Sequence, residues 1–118
     1  MNVLFVDDDE AILEVYRQEV EAHFENVKPL FAHNGLKALE VIENEDVSLV
    51  LTDGNMPKMD GLQLAKNIKD KKLEIDVIMI TGFHKKVDLM KKEELGIKQI
   101  LEKPVDFDEL LKLISSYL

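Results

Sequence analysis

Apolar residues in this chain occur in two patterns: short unbroken runs, and longer stretches at helical spacing. Residues 2–6 are apolar after Asn2 and stop at Asp7, as in a strand buried on both faces. Ile12, Leu13, Tyr16, Val20 and Phe24 then recur at steps of one, three and four, which predicts a helix with one buried face. Asp9 and Glu10 at its start suit the positive end of the helix dipole. Residues 27–31 predict a second strand, and Pro29, which has no N–H to donate, assigns it to a sheet edge. Asn34-Gly35 leads into Leu36, Leu39 and Ile42 at helical spacing, so we read a loop entering a second helix. Residues 47–52 predict the third strand. Asp60-Gly61 caps a third helix with Leu64, Ala65 and Ile68 facing inward.

Residues 75–80 predict a fourth strand, apolar almost throughout. Residues 84–95 hold few apolar positions, with Val87, Met90 and Leu95 as the inner face of a sparse helix that Gly96 stops. Residues 97–101 form a shorter, more polar fifth strand ended by Lys103-Pro104. Phe107, Leu110, Leu111, Ile114 and Leu118 define a closing amphipathic helix. Five strands alternating with five helices predict an α/β fold, a five-stranded parallel sheet with helices on both faces. In such sheets a ligand sits beyond the carboxyl ends of the strands.

Composition narrows the function. The 118 residues suffice for one domain, 1–118, with one core region. With 46 % hydrophobic residues and a net charge of −9 from 24 acids and 15 bases, the chain is globular and lacks the basic balance that direct nucleic-acid binding requires. No apolar run approaches the roughly 20 residues of a membrane span. The N-terminus has no leader pattern, so a cytoplasmic protein without membrane contact is expected. There is no cysteine for a disulfide or thiolate site.

The candidates for chemistry are the residues that follow the apolar runs. Strand one ends on Asp7 and Asp8, strand three on Asp53, strand four on Thr81-Gly82 and strand five on Lys103. An isolated Asp at a strand end is most often a helix cap. Four strand tips converging on one sheet edge are a different matter. Crowded carboxylates repel, and one takes up a proton unless a cation compensates. Mg²⁺ is a natural compensation, bound through carboxylates, waters and a phosphate. Lys103 supplies a mobile positive charge for a phosphoryl oxygen or for Asp53, and Thr81 a hydroxyl donor. Phosphoryl transfer to a carboxylate needs such positioning and charge neutralisation. Asp53 would be the nucleophile and a phosphoaspartate the product.

In these residues the chain resembles, along its whole length, the receiver domain of two-component response regulators. Val6-Asp7-Asp8-Asp9 is similar to the family's acidic pair, and residues 53–61 (Asp-Gly-Asn-Met-Pro-Lys-Met-Asp-Gly) to its phosphoacceptor loop. Thr81-Gly82 resembles its hydroxyl followed by a small residue, Lys103-Pro104 its lysine and proline, and residues 34–39 its second loop and helix. The resemblance implies a flavodoxin-like sheet order 2-1-3-4-5 and a phosphorylation-controlled switch that catalyses only its own aspartyl phosphorylation and dephosphorylation. A sensor histidine kinase would phosphorylate Asp53. Asp8, Asp53 and the backbone carbonyl of Asn55 would hold Mg²⁺, with Asp7 helping through water. Lys103 and Thr81 would bind the phosphoryl group, and the Lys103–Pro104 bond would be cis. With no output domain after Leu118, the signal would pass to a downstream effector protein or a histidine phosphotransfer protein.

Two positions depart from the family pattern. Relatives commonly carry Tyr or Phe three residues before the lysine; here it is Ile100, so another element, with residues 84–95 as the candidate, is expected to report the switch. Phe83 stands where many relatives have a polar or small residue, and is expected to exclude water and lengthen the life of the phosphoaspartate. A phosphatase of the haloacid-dehalogenase type would need a second acid where Asn55 stands. A flavodoxin-like carrier would place Asp7, Asp8 and Asp9 against its own flavin phosphate.

Overall fold

The computed structural model describes residues 1–82 and 89–118, with side chains for 1–82 and 92–118. Its strands are β1 (Asn2–Val6), β2 (Lys28–Ala32), β3 (Val47–Asp53), β4 (Asp76–Thr81) and β5 (Ile97–Glu102). They form one parallel sheet in the order β2-β1-β3-β4-β5. The helices are α1 (Glu10–His23), α2 (Gly35–Asn44), α3 (Gly61–Asp70), α4 (Leu89–Glu94) and α5 (Phe107–Ser115). The expected architecture and strand order are both present, and Pro29 lies on the edge strand β2.

Successive side chains of a strand point to opposite faces, and this alternation divides the core in two. Val3, Phe5, Leu49, Leu51, Ile78, Ile80 and Leu101 turn to one face, where Leu13, Tyr16 and Val20 of α1 and Leu110 and Ile114 of α5 cover them. Leu4, Val6, Val50, Val77 and Met79 turn to the other, under Ala38 of α2 and Leu64, Ala65 and Ile68 of α3. Both faces are covered, which is why β1, β3 and β4 read as unbroken apolar runs.

The helix starts are fixed by side chains. Asp9, Asn34, Asp60 and Asp106 each accept backbone N–H groups of the first turn. Asp60 and Gln63 form a reciprocal capping box at the start of α3.

Two expectations for inward residues fail. Leu36 is 49 % exposed, because the first turn of α2 turns Gly35 and Ala38 to the sheet instead. Leu118 is 53 % exposed, since α5 stops at Ser115 before the period reaches it. Of the sparse helix expected over residues 84–95, the described part is α4 (Leu89–Glu94), which ends just before Leu95, itself packed against the second cluster. Phe83, His84 and Val87 lie outside the described residues, and so does the Met90 side chain.

Candidate functional site

Strand register brings the candidate residues together. Val6 pairs with Thr52, so Asp7 follows beside Asp53. Asp53 pairs with Ile80, one residue short of Thr81, and Thr81 pairs with Glu102, the residue before Lys103. The alternation that sends Phe5, Leu51 and Leu101 to the α1–α5 side also carries Asp7, Asp53 and Lys103 to that side.

At the sheet edge the Lys103 ammonium lies 3.1 Å from Asp7 Oδ2 and 3.2 Å from Asp53 Oδ2. Carboxylate oxygens of Asp7, Asp8 and Asp53 come within 4.8 Å of one another. Asp7 and Asp53 are buried, at 2 % and 7 % exposure, while Asp8 faces solvent. Each buried acid is oriented by a backbone amide two residues on: Asp9 N–H donates to Asp7 Oδ1 at 2.9 Å, and Asn55 N–H to Asp53 Oδ1 at 3.2 Å. Thr81 is buried beside them; a Cβ built on Gly54 would lie 3.0 Å from its Oγ1.

The electrostatics follow from this crowding. Burial pushes the Asp7 carboxyl above its usual range, against the pull of the Asp9 amide and Lys103, and the neighbouring Asp53 adds to the rise. Burial alone would lower the Lys103 ammonium, but hydrogen bonds and charge from Asp7 and Asp53 more than offset it and raise it. One ammonium facing three carboxylates leaves a net negative hollow, open through Asp8 to solvent. Carboxylate oxygens at this spacing suit a hard, oxygen-seeking cation such as Mg²⁺.

The loop after Asp53 is held in place by close packing. Gly54 N–H bonds Ile80 O at 3.3 Å, and Gly61 N–H bonds Gly54 O at 3.3 Å. A side chain at Gly61 would sit 2.4 Å from the Asp53 carbonyl oxygen, so glycine is required where α3 begins under the loop that follows Asp53. Gly35 N–H donates to Met59 O at 3.3 Å, which joins the far side of the loop to α2. The Lys103–Pro104 bond is cis.

Residues 3–115 match the response regulator receiver domain. The chain belongs to that family. It is 33 % identical to sporulation initiation phosphotransferase F of Bacillus subtilis, over 98 % of this chain and 92 % of that protein. It is 30 % identical to the polar-differentiation response regulator DivK of Brucella anthropi, over 99 % and 95 %. Among solved structures it resembles the response regulator TrrA of Thermotoga maritima in complex with Mg²⁺–BeF: TM-score 0.85, 27 % identity, 99 % and 98 % coverage. A CheY-like receiver domain protein of Methanospirillum hungatei is similar, with TM-score 0.84, 31 % identity, and 98 % and 91 % coverage. As a receiver domain, the chain is a phosphorylation-dependent signalling protein of the two-component type, a switch rather than a classical enzyme. Among the described residues no helix is long and apolar enough to cross a membrane.

Sequence reasoning singled out the charged residues and the threonine of this edge. It missed two neighbours. The Asp9 amide orients Asp7, a role invisible in a side-chain pattern. Tyr16 was assigned to the inner face of α1, yet its hydroxyl also feels the charges of Asp7 and Asp53. A polar-tipped ring among aliphatic core positions was the available signal.

Proposed function

We propose that Asp53 is the phosphoacceptor of this receiver domain, acting in an Mg²⁺-dependent reaction with a partner sensor histidine kinase as donor. The observation that carries this reading is the Lys103 ammonium seated between Asp7 and Asp53, 3.1 and 3.2 Å away, with Asp8 completing the acidic cluster. Asp7, Asp8, Asp53 and the backbone carbonyl of Asn55 would hold Mg²⁺. When bound, the ion supplies charge neutralisation for the phosphoryl oxygens.

The chain's own residues do the rest. A carboxylate oxygen of Asp53, oriented by the Asn55 amide, attacks the donor phosphorus in line. The new O–P bond forms as the N–P bond to the donor imidazole breaks, and its electron pair returns to the ring nitrogen. Lys103 leaves Asp53 for a phosphoryl oxygen while keeping Asp7 in reach. The Thr81 hydroxyl, buried beside Gly54, donates to another phosphoryl oxygen. Hydrolysis of the same O–P bond by water returns the protein to its ground state, so the chain's only catalysis is on itself. The phosphorylated state then acts on a downstream effector, or hands its phosphate to a histidine phosphotransfer protein, in the cytoplasm and without direct nucleic-acid contact.

The test is incubation with acetyl phosphate and Mg²⁺ followed by intact-mass measurement. Wild type gains one phosphate and Asp53→Asn gains none. Equal labelling of the two proteins would remove Asp53 from the role.

A further inference from the structure

An aromatic layer lies beside the buried part of the site, Asp7 and Asp53. Phe5 on β1 stacks on Tyr16 of α1 with ring centroids 4.9 Å apart, and Tyr16 meets the edge of Phe107 at 6.2 Å and 62°. Phe5 lies two residues before Asp7 on the same face of β1, and Phe107 opens α5 four residues after Lys103. Tyr16, 2 % exposed, therefore bridges the strand that carries Asp7 and the segment that carries Lys103.

That bridge has a task. Lys103 has a flexible four-carbon stem, its side chain is 34 % exposed, and part-exposed ion pairs hold a lysine only weakly. Its backbone is anchored on one side, where Lys103 N–H donates to Thr81 O at 3.2 Å. On the other side Val105 and then Phe107 pack against the α1–α5 core, and Phe107 is the one that meets Tyr16. We propose that Tyr16 is a positioning residue: its ring, wedged between Phe5 and Phe107, holds the start of α5 against β1 and so fixes Lys103 between Asp7 and Asp53. Burial, and then the charges of Asp7 and Asp53, keep the hydroxyl protonated, so the ring packs as a neutral group. Edge and stacked contacts on two sides are geometries that a flat ring makes and a leucine does not.

The test compares Tyr16→Phe, Tyr16→Leu and Phe107→Leu with wild type. The first readout is the lysine ammonium region of the ¹H–¹⁵N spectrum, in which a held ammonium exchanges slowly enough to be seen; the Lys103 signal is assigned by its absence from Lys103→Met. The second is the rate of phosphate uptake from acetyl phosphate. The signal is expected in wild type and Tyr16→Phe and lost in both leucine variants. Uptake is expected to stay near wild type in Tyr16→Phe and to fall about tenfold or more in the leucine variants.

Leucine variants that melt earlier yet keep the ammonium signal would make Tyr16 a core residue only and overturn the proposal. So would absence of the Lys103 signal from wild type. If Tyr16→Leu does not fold, Phe107→Leu, whose ring is only partly buried, decides by the same readouts. The uptake arm rests on the proposed role of Asp53 and the ammonium arm does not. A wild type that takes up no phosphate would therefore sink the Asp53 reading and leave the ammonium signals to judge Tyr16.

Discussion

Asp7 shows how a single side chain sets conflicting demands in this molecule. It is buried, and burial pushes its carboxyl above the ordinary value of 3.8, further helped by Asp53. The folded state therefore binds this proton more tightly than the unfolded state, and stability is lost as pH rises from 3.8 through the higher folded value. Lys103 has the same sign in a higher window: its contribution is complete below the ordinary lysine value of 10.5 and is lost as pH rises through the raised folded value, so at neutral pH it still stabilises the fold. Replacing Asp7 by a neutral isostere removes the cost. Asp7→Asn is expected to melt about 2–5 °C higher than wild type at neutral pH in chelator. Added Mg²⁺ should then raise the melting temperature of wild type more than that of the variant, because the variant has lost one of three carboxylates. Calorimetric scans with and without Mg²⁺ measure both effects. A metal-free Asp7→Asn that melts below wild type would contradict this account.

At the scale of elements, the entry into α3 couples the loop after Asp53 to the fold. Asp60 and Gln63 close the capping box, and Gly61 lets the helix start directly under the Asp53 carbonyl. A methyl group at Gly61 meets that carbonyl at 2.4 Å and the Met79 sulfur at 2.7 Å, so the strand or the helix must move. Gly61→Ala is expected to lose about 2 kcal/mol or more by urea unfolding. Gly82, which has nothing within 4 Å of an added Cβ among the described residues, is the control. Gly82→Ala should stay within about 0.5 kcal/mol of wild type. The fold class, the strand runs and the cap Asp60 were readable in the sequence, because hydrophobic spacing and capping act over a few residues; Asp9 and Asn34 stood there only as a first-turn acid and a loop residue, and the structure makes both of them caps. The close approach at Gly61 was not, since it depends on Asp53, eight positions away, and on a sulfur from β4.

At the scale of the molecule, the sheet separates two cores that share no side chain among the described residues. Ile78 is fully buried on the α1–α5 side, and Ile68 is 2 % exposed on the α3 side. Ile78→Val and Ile68→Val should each cost about 0.5–1.5 kcal/mol. With the sheet between them, the double variant should equal the sum within about 0.5 kcal/mol. A larger departure, measured by denaturant unfolding of all four proteins, would mean that the two faces pack as one body.

By itself, the sequence determined the alternation of strands and helices, the edge position of β2 and the residues that stand at the strand tips. Each of these follows from spacing within a window of ten or so residues. Tertiary structure decided what the same spacing left ambiguous. It turned Gly35 and Ala38 inward and Leu36 outward, and ended α5 before Leu118. It also set Lys103 against Asp7 across 96 positions of chain and placed Tyr16 between their two segments. Such contacts arise from strand register and crossover hand, which bring together residues whose separation along the chain carries no local signal.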